Sequence, residues 1–148
     1  MWHGALNTGP VGDSLIASRF ELRAQIIWSK SRPVIGRGHY NWAHEPCWYA
    51  VRSKGTGHWA GLKGGDSTLW QILHQKSETG HGTQKPMEAM RRPMLNNSTP
   101  GDAVYDPFGG SGTTLIAAEQ TERICYMMEI DPGYCDVIRE RYRAYTED

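Results

Sequence analysis

The stretch that decides the fold is Asp106–Thr114, "DPFGGSGTT", because it joins a short apolar run to a helical pattern through a glycine-rich turn. "AVY" precedes it and "LIAAEQT" follows it. A second apolar run, "ICYMMEI", comes next, and "DPGYCDVIRERYRAY" (131–145) has the spacing of a helix. Strand, helix, strand and helix within about 45 residues predict a βαβ unit and a parallel α/β sheet. Ser111 is the predicted N-cap of the helix after the turn.

Upstream, the patterns are shorter and less regular. Residues 15–20 predict a short helix, and residues 21–30, "ELRAQIIWSK", predict a strand. "SRPVIGRGHYN" (31–41) contains one proline and two glycines and predicts a loop. "EPCWYAVRS" (45–53) is aromatic and β-branched and predicts a second strand.

Residues 54–81 are polar and rich in glycine and predict an irregular insertion with one short helix near residues 67–75. A helix follows from "KPMEAM", with Pro86 in its first turn, where a missing N–H costs little. Pro93 is expected to end or kink this helix.

Composition excludes several classes of protein. The 148 residues suit one domain, and 16 basic against 16 acidic residues leave no global positive field, although a local basic patch remains open. No apolar run approaches 18 residues and the N-terminus lacks the pattern of a signal peptide, so neither a membrane span nor export is expected. Three cysteines without a CxxC pair favour free thiols in a reducing cytoplasm. The scattered histidines predict no metal site.

The glycine turn admits three kinds of ligand. A phosphate-binding P-loop needs a lysine after the glycines, where this chain has Thr113 and Thr114. A dinucleotide fingerprint needs a third glycine, where this chain has Leu115. The third ligand, S-adenosylmethionine, needs a strand ending in an acid before the turn and an acid at the end of the next strand, to accept the ribose hydroxyls.

Asp106 and Glu129 occupy these two positions. Taken singly, Asp106 is explained as the cap of a turn and Glu129 as a solvent-facing strand end. The pair of acids with this turn between them favours S-adenosylmethionine.

These motifs resemble the C-terminal half of the amino-group DNA methyltransferases, which methylate adenine N6 or cytosine N4, in the subgroup with a permuted motif order. The resemblance rests on "TQKP" (83–86), the D-P-F-x-G-S-G-T turn and E-x-D at 129–131, and it covers residues 80–145 most strongly. It implies a Rossmann-like, S-adenosylmethionine-dependent methyltransferase fold over residues 1–148, with its cofactor-binding βαβ region at 82–148.

The resemblance also implies a set of residues that bind S-adenosylmethionine. The turn would hold the methionine end, Glu129 the ribose and Ile130 the adenine. The lysine of "TQKP" and the threonine before it would close over the cofactor carboxylate, unless they are only solvated residues at a helix start. The set is Asp106, Pro107, Phe108, Gly109, Gly110, Ser111, Gly112, Thr113, Glu129, Ile130, Thr83 and Lys85.

The catalytic motif of this family, D/N/S-P-P-Y/F on the central fourth strand, is not found in the chain, which contains no Pro-Pro pair. The fold is therefore expected to be incomplete, with no catalytic residue to assign. A truncated protein, half of a split enzyme, or a fragment that pairs with a second copy of the chain would each explain this. The function implied is that of a site-specific DNA methyltransferase fragment of a restriction–modification system, with adenine N6 favoured and little or no activity alone. A non-catalytic binding remnant or subunit, or a cytosine N4 enzyme, is the alternative.

Recognition of double-stranded DNA is expected to fall to the insertion at 54–81. It carries basic groups and aromatic rings suited to phosphate contact and base stacking: Lys54, His58, Trp59, Lys63, Trp70 and Lys76. A glycine-rich surface loop explains the same composition equally well.

Overall fold

The computed structural model describes residues 1–73 and 84–147. These residues fall into two units. The first comprises residues 1–58 and 62–73, and the second comprises residues 59–61 and 84–147. None of the helices in these ranges combines the length and the hydropathy that a membrane span needs.

The first unit is a three-stranded sheet with one helix. A 3-10 turn precedes the helix, and the strand order is β2-β1-β3, with β1 and β2 antiparallel and β3 parallel to β1. The elements are α1 (Thr8–Ala17), β1 (Phe20–Val34), β2 (Trp42–Arg52) and β3 (Leu69–Gln71).

Tryptophans form the core of this unit. Trp28 on β1 and Trp70 on β3 are paired residues of two neighbouring parallel strands, and both are almost fully buried. Trp2 contacts both rings edge-on, with centroid distances of 6.4 and 6.1 Å. The Trp28 indole donates to the Ile72 carbonyl at 2.9 Å, so its buried polar group is satisfied.

The helix and first strand differ from their predicted bounds. The helix predicted at residues 15–20 begins earlier and ends at Ala17, because Phe20 already pairs with Arg52 in the sheet. β1 also runs into the predicted loop, through Pro33 to Val34. The ladder is irregular between Ser29 and Val34, so Pro33 lies where no regular ladder hydrogen bond is required of it.

The helix predicted near residues 67–75 is wrong for the described part of that segment. Residues 69–71 form β3 instead, and residues 74 and 75 lie outside the described residues. Pairing with β1 and burial of Trp70 stabilise the strand, which the local composition did not indicate.

The second unit contains the predicted βαβ arrangement. Its strands are parallel and in register from Ala103 opposite Ile124 to Asp106 opposite Met127. The elements are α2 (Met87–Asn97), β4 (Ala103–Asp106), α3 (Thr113–Gln120), β5 (Ile124–Met127) and α4 (Pro132–Glu147).

One face of the β4–β5 sheet is packed and the other is exposed. On the packed face, Val104 and Cys125 contact a core formed by Met94 and the alanines Ala117 and Ala118 of α3. The opposite face carries Tyr105, Ile124 and Tyr126, which are 64%, 53% and 59% exposed.

Pro93 does not end α2, which continues to Asn97, and a kink at this residue stays a prediction. Ala89 and Met94, on either side of it in sequence, are buried, and Met94 packs with Ala117 and Ala118 of α3. This packing offsets the lost backbone hydrogen bond, which costs about 3 kcal/mol in an isolated helix.

Candidate functional site

Glycines shape the turn between β4 and α3. A Cβ on Gly109 would lie 2.6 Å from the Met127 Sδ and 3.2 Å from the Met128 carbonyl oxygen, so any other residue there would force the Met127 side chain to move. Gly110 and Gly112 have φ values of +54° and +81°, in the left-handed region that glycine adopts without steric cost. A Cβ on Gly110 would meet no atom within 4 Å, so open space adjoins the turn at this point.

Asp106, at the end of β4, holds the entry to the turn. Its Oδ1 accepts the Phe108 backbone N–H at 3.0 Å, and its Oδ2 accepts the Thr114 hydroxyl at 2.5 Å. Asp106 therefore caps the turn, as one of the two sequence interpretations held. The hydrogen bond from Thr114 also joins the end of β4 to the first turn of α3.

Glu129 lies at the opposite side of the same turn. Its Oε2 accepts the Gly110 backbone N–H at 2.7 Å, and its Oε1 accepts the Asp131 backbone N–H at 2.9 Å. The carboxylate thus joins the glycine turn to the segment that starts α4. Each carboxylate oxygen can accept further hydrogen bonds, because it offers two lone-pair sites.

Ser111 is not the N-cap of α3. Gly112 precedes the helix, and no side-chain cap hydrogen bond is present there. The Ser111 side chain is buried, and Arg141 of α4 donates to its carbonyl and lies 3.4 Å from its hydroxyl. The hydroxyl lies beside Arg141 and makes no cap hydrogen bond to the backbone of α3.

Two apolar side chains beside the turn are exposed. Phe108 is 74% exposed and Ile130 is 98% exposed. Ile130 directly follows Glu129, and the backbone N–H of Phe108 is fixed by Asp106. Rings or apolar groups of a ligand could pack on both side chains without any change in the protein core.

The structure brings the predicted turn residues and Glu129 together. Lys85 belongs to the same unit, with a half-buried side chain just before Pro86 and α2. Thr83 lies outside the described residues.

Two side chains that fix the turn were missed by sequence reasoning. Thr114 bonds Asp106, and Arg141 bonds Ser111 from 30 residues away. The second threonine of "SGTT" was a usable signal for the first contact. No local pattern marks Arg141, because its partner is distant in sequence.

Cys125 of β5 is close to this network. Burial, and secondly the negative charge of Asp106, raise the pKa of its thiol to about 11. The thiol is therefore protonated near neutral pH and is a poor nucleophile. Nowhere in residues 1–73 and 84–147 do three or more potential ligands group in a way that could hold a metal ion.

The candidate DNA-contacting residues of the 54–81 insertion differ in their exposure to solvent. Lys54, His58 and Lys63 are exposed, and Trp59 is 43% exposed. Trp70 is 2% exposed in the core of the first unit, so the expectation that it stacks on a base is wrong. Lys76 lies outside the described residues.

A family model described as DNA methylase, of the N6/N4 type, matches residues 13–140. Type II methyltransferase M.HinfI of Haemophilus influenzae is 29% identical over 143 residues, which cover 84% of this chain and 40% of that protein. Type II methyltransferase M.SmaI of Serratia marcescens is 30% identical over 135 residues, covering 81% and 46%. The chain therefore spans less than half the length of these relatives.

Solved structures agree with the observed fold. The M1.HpyAVI–SAM complex superposes with a TM-score of 0.83 at 27% identity, covering 95% of this chain and 71% of that one. The cytosine-N4-specific PvuII DNA methyltransferase superposes with a TM-score of 0.79 at 19% identity, covering 93% and 57%. The latter similarity concerns the fold alone.

Proposed function

Because the chain belongs to the N6/N4 DNA methylase family, we propose that its glycine turn and Glu129 bind S-adenosylmethionine for methylation of an exocyclic amino group in DNA. The observation that carries this proposal is the hydrogen bond between the Glu129 carboxylate and the Gly110 N–H, at 2.7 Å. It unites the two features that the cofactor requires, an open turn at a helix start and an acid at the end of the next strand.

Each part of the site suits one part of the cofactor. The start of α3 offers backbone N–H groups and the positive end of a helix dipole, which favour the carboxylate of the methionine moiety. Glu129 would accept the ribose hydroxyls, and the exposed side chain of Ile130 would pack on the adenine. Phe108 would line the methionine end beside Asp106. When bound, the cofactor supplies an electrophilic methyl group on a sulfonium.

Lys85 and Thr83 complete the proposed site from the "TQKP" segment. Their role would be to close over the cofactor carboxylate. The half-buried position of the Lys85 side chain, in the same unit as the turn, supports its assignment.

The acceptor side of the reaction is proposed to lie outside these 148 residues. No D/N/S-P-P-Y/F motif occurs in the chain, and the chain spans 40% of M.HinfI. A segment from a longer protein or a split partner would supply the missing strand together with its motif. A second copy of the chain, the alternative partner, would pair with the sheet without adding the motif. The chain by itself is then expected to transfer methyl groups weakly or not at all, and the assembled enzyme would act on double-stranded DNA in the cytoplasm.

Adenine N6 is the proposed acceptor. Cytosine N4 is the second candidate, because the family model that matches residues 13–140 covers both the N6 and the N4 type. Methyl transfer from labelled cofactor to duplex DNA, followed by nucleoside analysis, distinguishes the two once the complementing segment is present.

Calorimetric titration with S-adenosylmethionine and its demethylated product tests the site. Glu129→Gln should weaken binding about 10- to 100-fold, since a hydrogen bond to a charged acceptor contributes about 1.5–3 kcal/mol. Glu140→Gln is the matched control, because Glu140 is an exposed carboxylate on α4. Absence of binding heat for both ligands with the unmodified chain would refute the cofactor assignment.

Ile130→Ala offers a cleaner variant, because a side chain that is 98% exposed contributes little to folding. Loss of its apolar contact with the adenine should weaken cofactor binding about 5- to 30-fold at unchanged stability. Leu6→Ala, at a side chain that is 82% exposed in the first unit, should change neither quantity. Equal affinities for the Ile130 and Leu6 variants would contradict the adenine contact.

Transfer assays with the unmodified chain test the acceptor side. No incorporation of label into unmethylated duplex DNA is expected from the chain alone. Rapid transfer by the chain alone would refute the proposal that acceptor-side residues come from elsewhere.

A further inference from the structure

The distal part of the β1–β2 hairpin, residues 31–43, is exposed at every position. We refer to these residues as the arm. It includes the end of β1 and the start of β2, which pair through Val34 and Trp42. The Gly36 N–H donates to the Asn41 side chain at 2.9 Å, which braces the tip. The arm is therefore the exposed end of the hairpin, with one paired position, Val34 opposite Trp42, and a tip joined by the Gly36–Asn41 hydrogen bond.

The charge on the arm has one sign. It contains Arg32, Arg37 and His39 and no Asp or Glu. At its base, Lys30 pairs with Glu45 at 2.6 Å, and that glutamate is the nearest acid in sequence. No acidic residue within the arm therefore neutralises the positive charges of its two arginines.

The first unit as a whole is also basic, despite the zero net charge of the chain. Its described residues contain eight Lys and Arg against four Asp and Glu, a formal charge of +4. The described residues of the second unit contain seven against ten, a formal charge of −3. Such asymmetry between halves is typical of proteins that bring one part to a polyanion.

Exposed aromatic rings accompany the arginines. Tyr40 is 95% exposed and Trp42 is 47% exposed, and the Trp42 ring is edge-on to His44 at 5.4 Å. Arginines with exposed aromatic and hydrogen-bonding side chains provide both phosphate contacts and contacts to sugars and base edges. A two-stranded ribbon is one of the elements that the major groove of duplex DNA admits, the groove being about 12 Å wide.

From these observations we propose that the arm is a duplex-DNA contact surface, with Arg32 and Arg37 on phosphates and Tyr40 at the groove. It is separate in sequence from the 54–81 insertion. This inference rests on the proposed function for its choice of polyanion, and it adds the surface that would hold the DNA.

The test is fluorescence anisotropy of a labelled duplex titrated with the chain at several salt concentrations. Arg32→Ala/Arg37→Ala should lower the slope of log K against log salt by about 2 and weaken binding about 10- to 60-fold at 0.1 M salt, because each phosphate contact contributes about 0.9 to the slope. Tyr40→Ala should weaken binding and leave the slope unchanged. Arg32→Lys/Arg37→Lys should keep most of the slope, because phosphate neutralisation needs only the charge.

The matched control is Arg139→Ala/Arg143→Ala, which also removes two exposed charges. Both arginines lie on α4 in the second unit and pair with acids, Asp136 and Glu147. This variant should bind DNA as the unmodified chain does. Equal effects of the two double variants, no salt-dependent binding by the unmodified chain, or tighter binding to single strands than to duplex would each overturn the inference.

Failure of this proposal and failure of the proposed function give different results. The arm variants should retain the heat of S-adenosylmethionine binding and the unfolding midpoint of the unmodified chain, because the arm is exposed and lies outside the unit that holds the turn. Glu129→Gln should retain DNA binding. A chain that binds DNA through the arm but shows no cofactor heat would refute the cofactor site and leave the arm assignment standing.

Discussion

Replacement of Gly112 by alanine tests how closely α4 packs against the start of α3. Gly112 has a φ of +81°, and a Cβ added there would lie 3.1 and 3.3 Å from Cγ1 and Cγ2 of Ile138. Ordinary carbon–carbon contacts are about 3.5–4.0 Å. The substitution therefore combines an unfavourable backbone conformation with a steric conflict.

The two costs can be separated with Gly101. Its φ is +86°, nearly the same, and an added Cβ would meet no atom within 4 Å. Gly101→Ala should cost about 1–2 kcal/mol, the backbone cost of a left-handed conformation for a residue with a Cβ. Gly112→Ala should cost about 2–5 kcal/mol, because overpacking adds about 1–3 kcal/mol to the backbone cost.

Urea unfolding followed by circular dichroism at 222 nm measures these free energies. The helical signal reports mainly on the second unit, which holds α2, α3 and α4, whereas five of the six tryptophans lie in the first unit. In the Ile138→Ala background, where the clashing atoms are gone, the cost of Gly112→Ala should fall to that of Gly101→Ala. Equal costs for the two glycine variants in the unmodified background would refute the steric argument.

Three further predictions concern the second unit. Thr114→Val removes the hydroxyl that donates to Asp106 and should lower the free energy of unfolding by about 1–2 kcal/mol in urea. Arg123→Ala removes a buried guanidinium that bonds the Ser98 carbonyl at 2.7 Å, and it should cost about 3 kcal/mol or more by the same measurement, since buried acceptors lose a charged donor. For Cys125, burial and the Asp106 charge raise the thiol pKa from its ordinary value of 9.0 to about 11. The stability that the protonated Cys125 thiol contributes is therefore complete below the unfolded pKa and is lost as the pH rises towards 11. The free energy of unfolding of Cys125→Ala should decrease less over that range than that of the unmodified chain.

Exposed side chains on α4, in the same unit, provide the controls. Thr146→Val, at an exposed threonine near the end of α4, and Arg139→Ala, at an exposed ion pair, should each change stability by less than about 0.5 kcal/mol. Costs equal to those of Thr114→Val and Arg123→Ala would contradict the assigned contacts. An identical pH dependence with and without Cys125 would contradict the raised thiol pKa.

The second unit was largely predictable because its signals are local. The glycine turn, the apolar strands on either side of it and the Asp131-Pro132 start of α4 all lie within a short stretch, and the structure confirms the parallel βαβ arrangement. Ser111 was assigned as a cap by residue type. The left-handed conformation of Gly112 and the distant Arg141 decide its environment instead.

The first unit was less predictable because its structure depends on pairing between distant segments. β3 is only three residues long and exists through its register with β1, so the composition around Trp70 could not distinguish it from a short helix. The extension of β1 through Pro33 depends on an irregular ladder to β2. In the candidate site, residue types located Asp106 and Glu129, but the hydrogen bond from the Gly110 N–H to Glu129 appears only in the folded structure.

The exposed face of the β4–β5 sheet has a consequence for how the stability of this chain should be measured. Parallel strands are usually covered on both faces, yet Tyr105, Ile124 and Tyr126 are each more than half exposed. Any molecule that covers this face in the folded state alone raises the free energy of unfolding by mass action, by about 2.7 kcal/mol at a hundredfold excess over its dissociation constant. The melting temperature of the chain would then rise with the concentration of that molecule. Measuring this rise for different molecules would rank them by how well they cover the face.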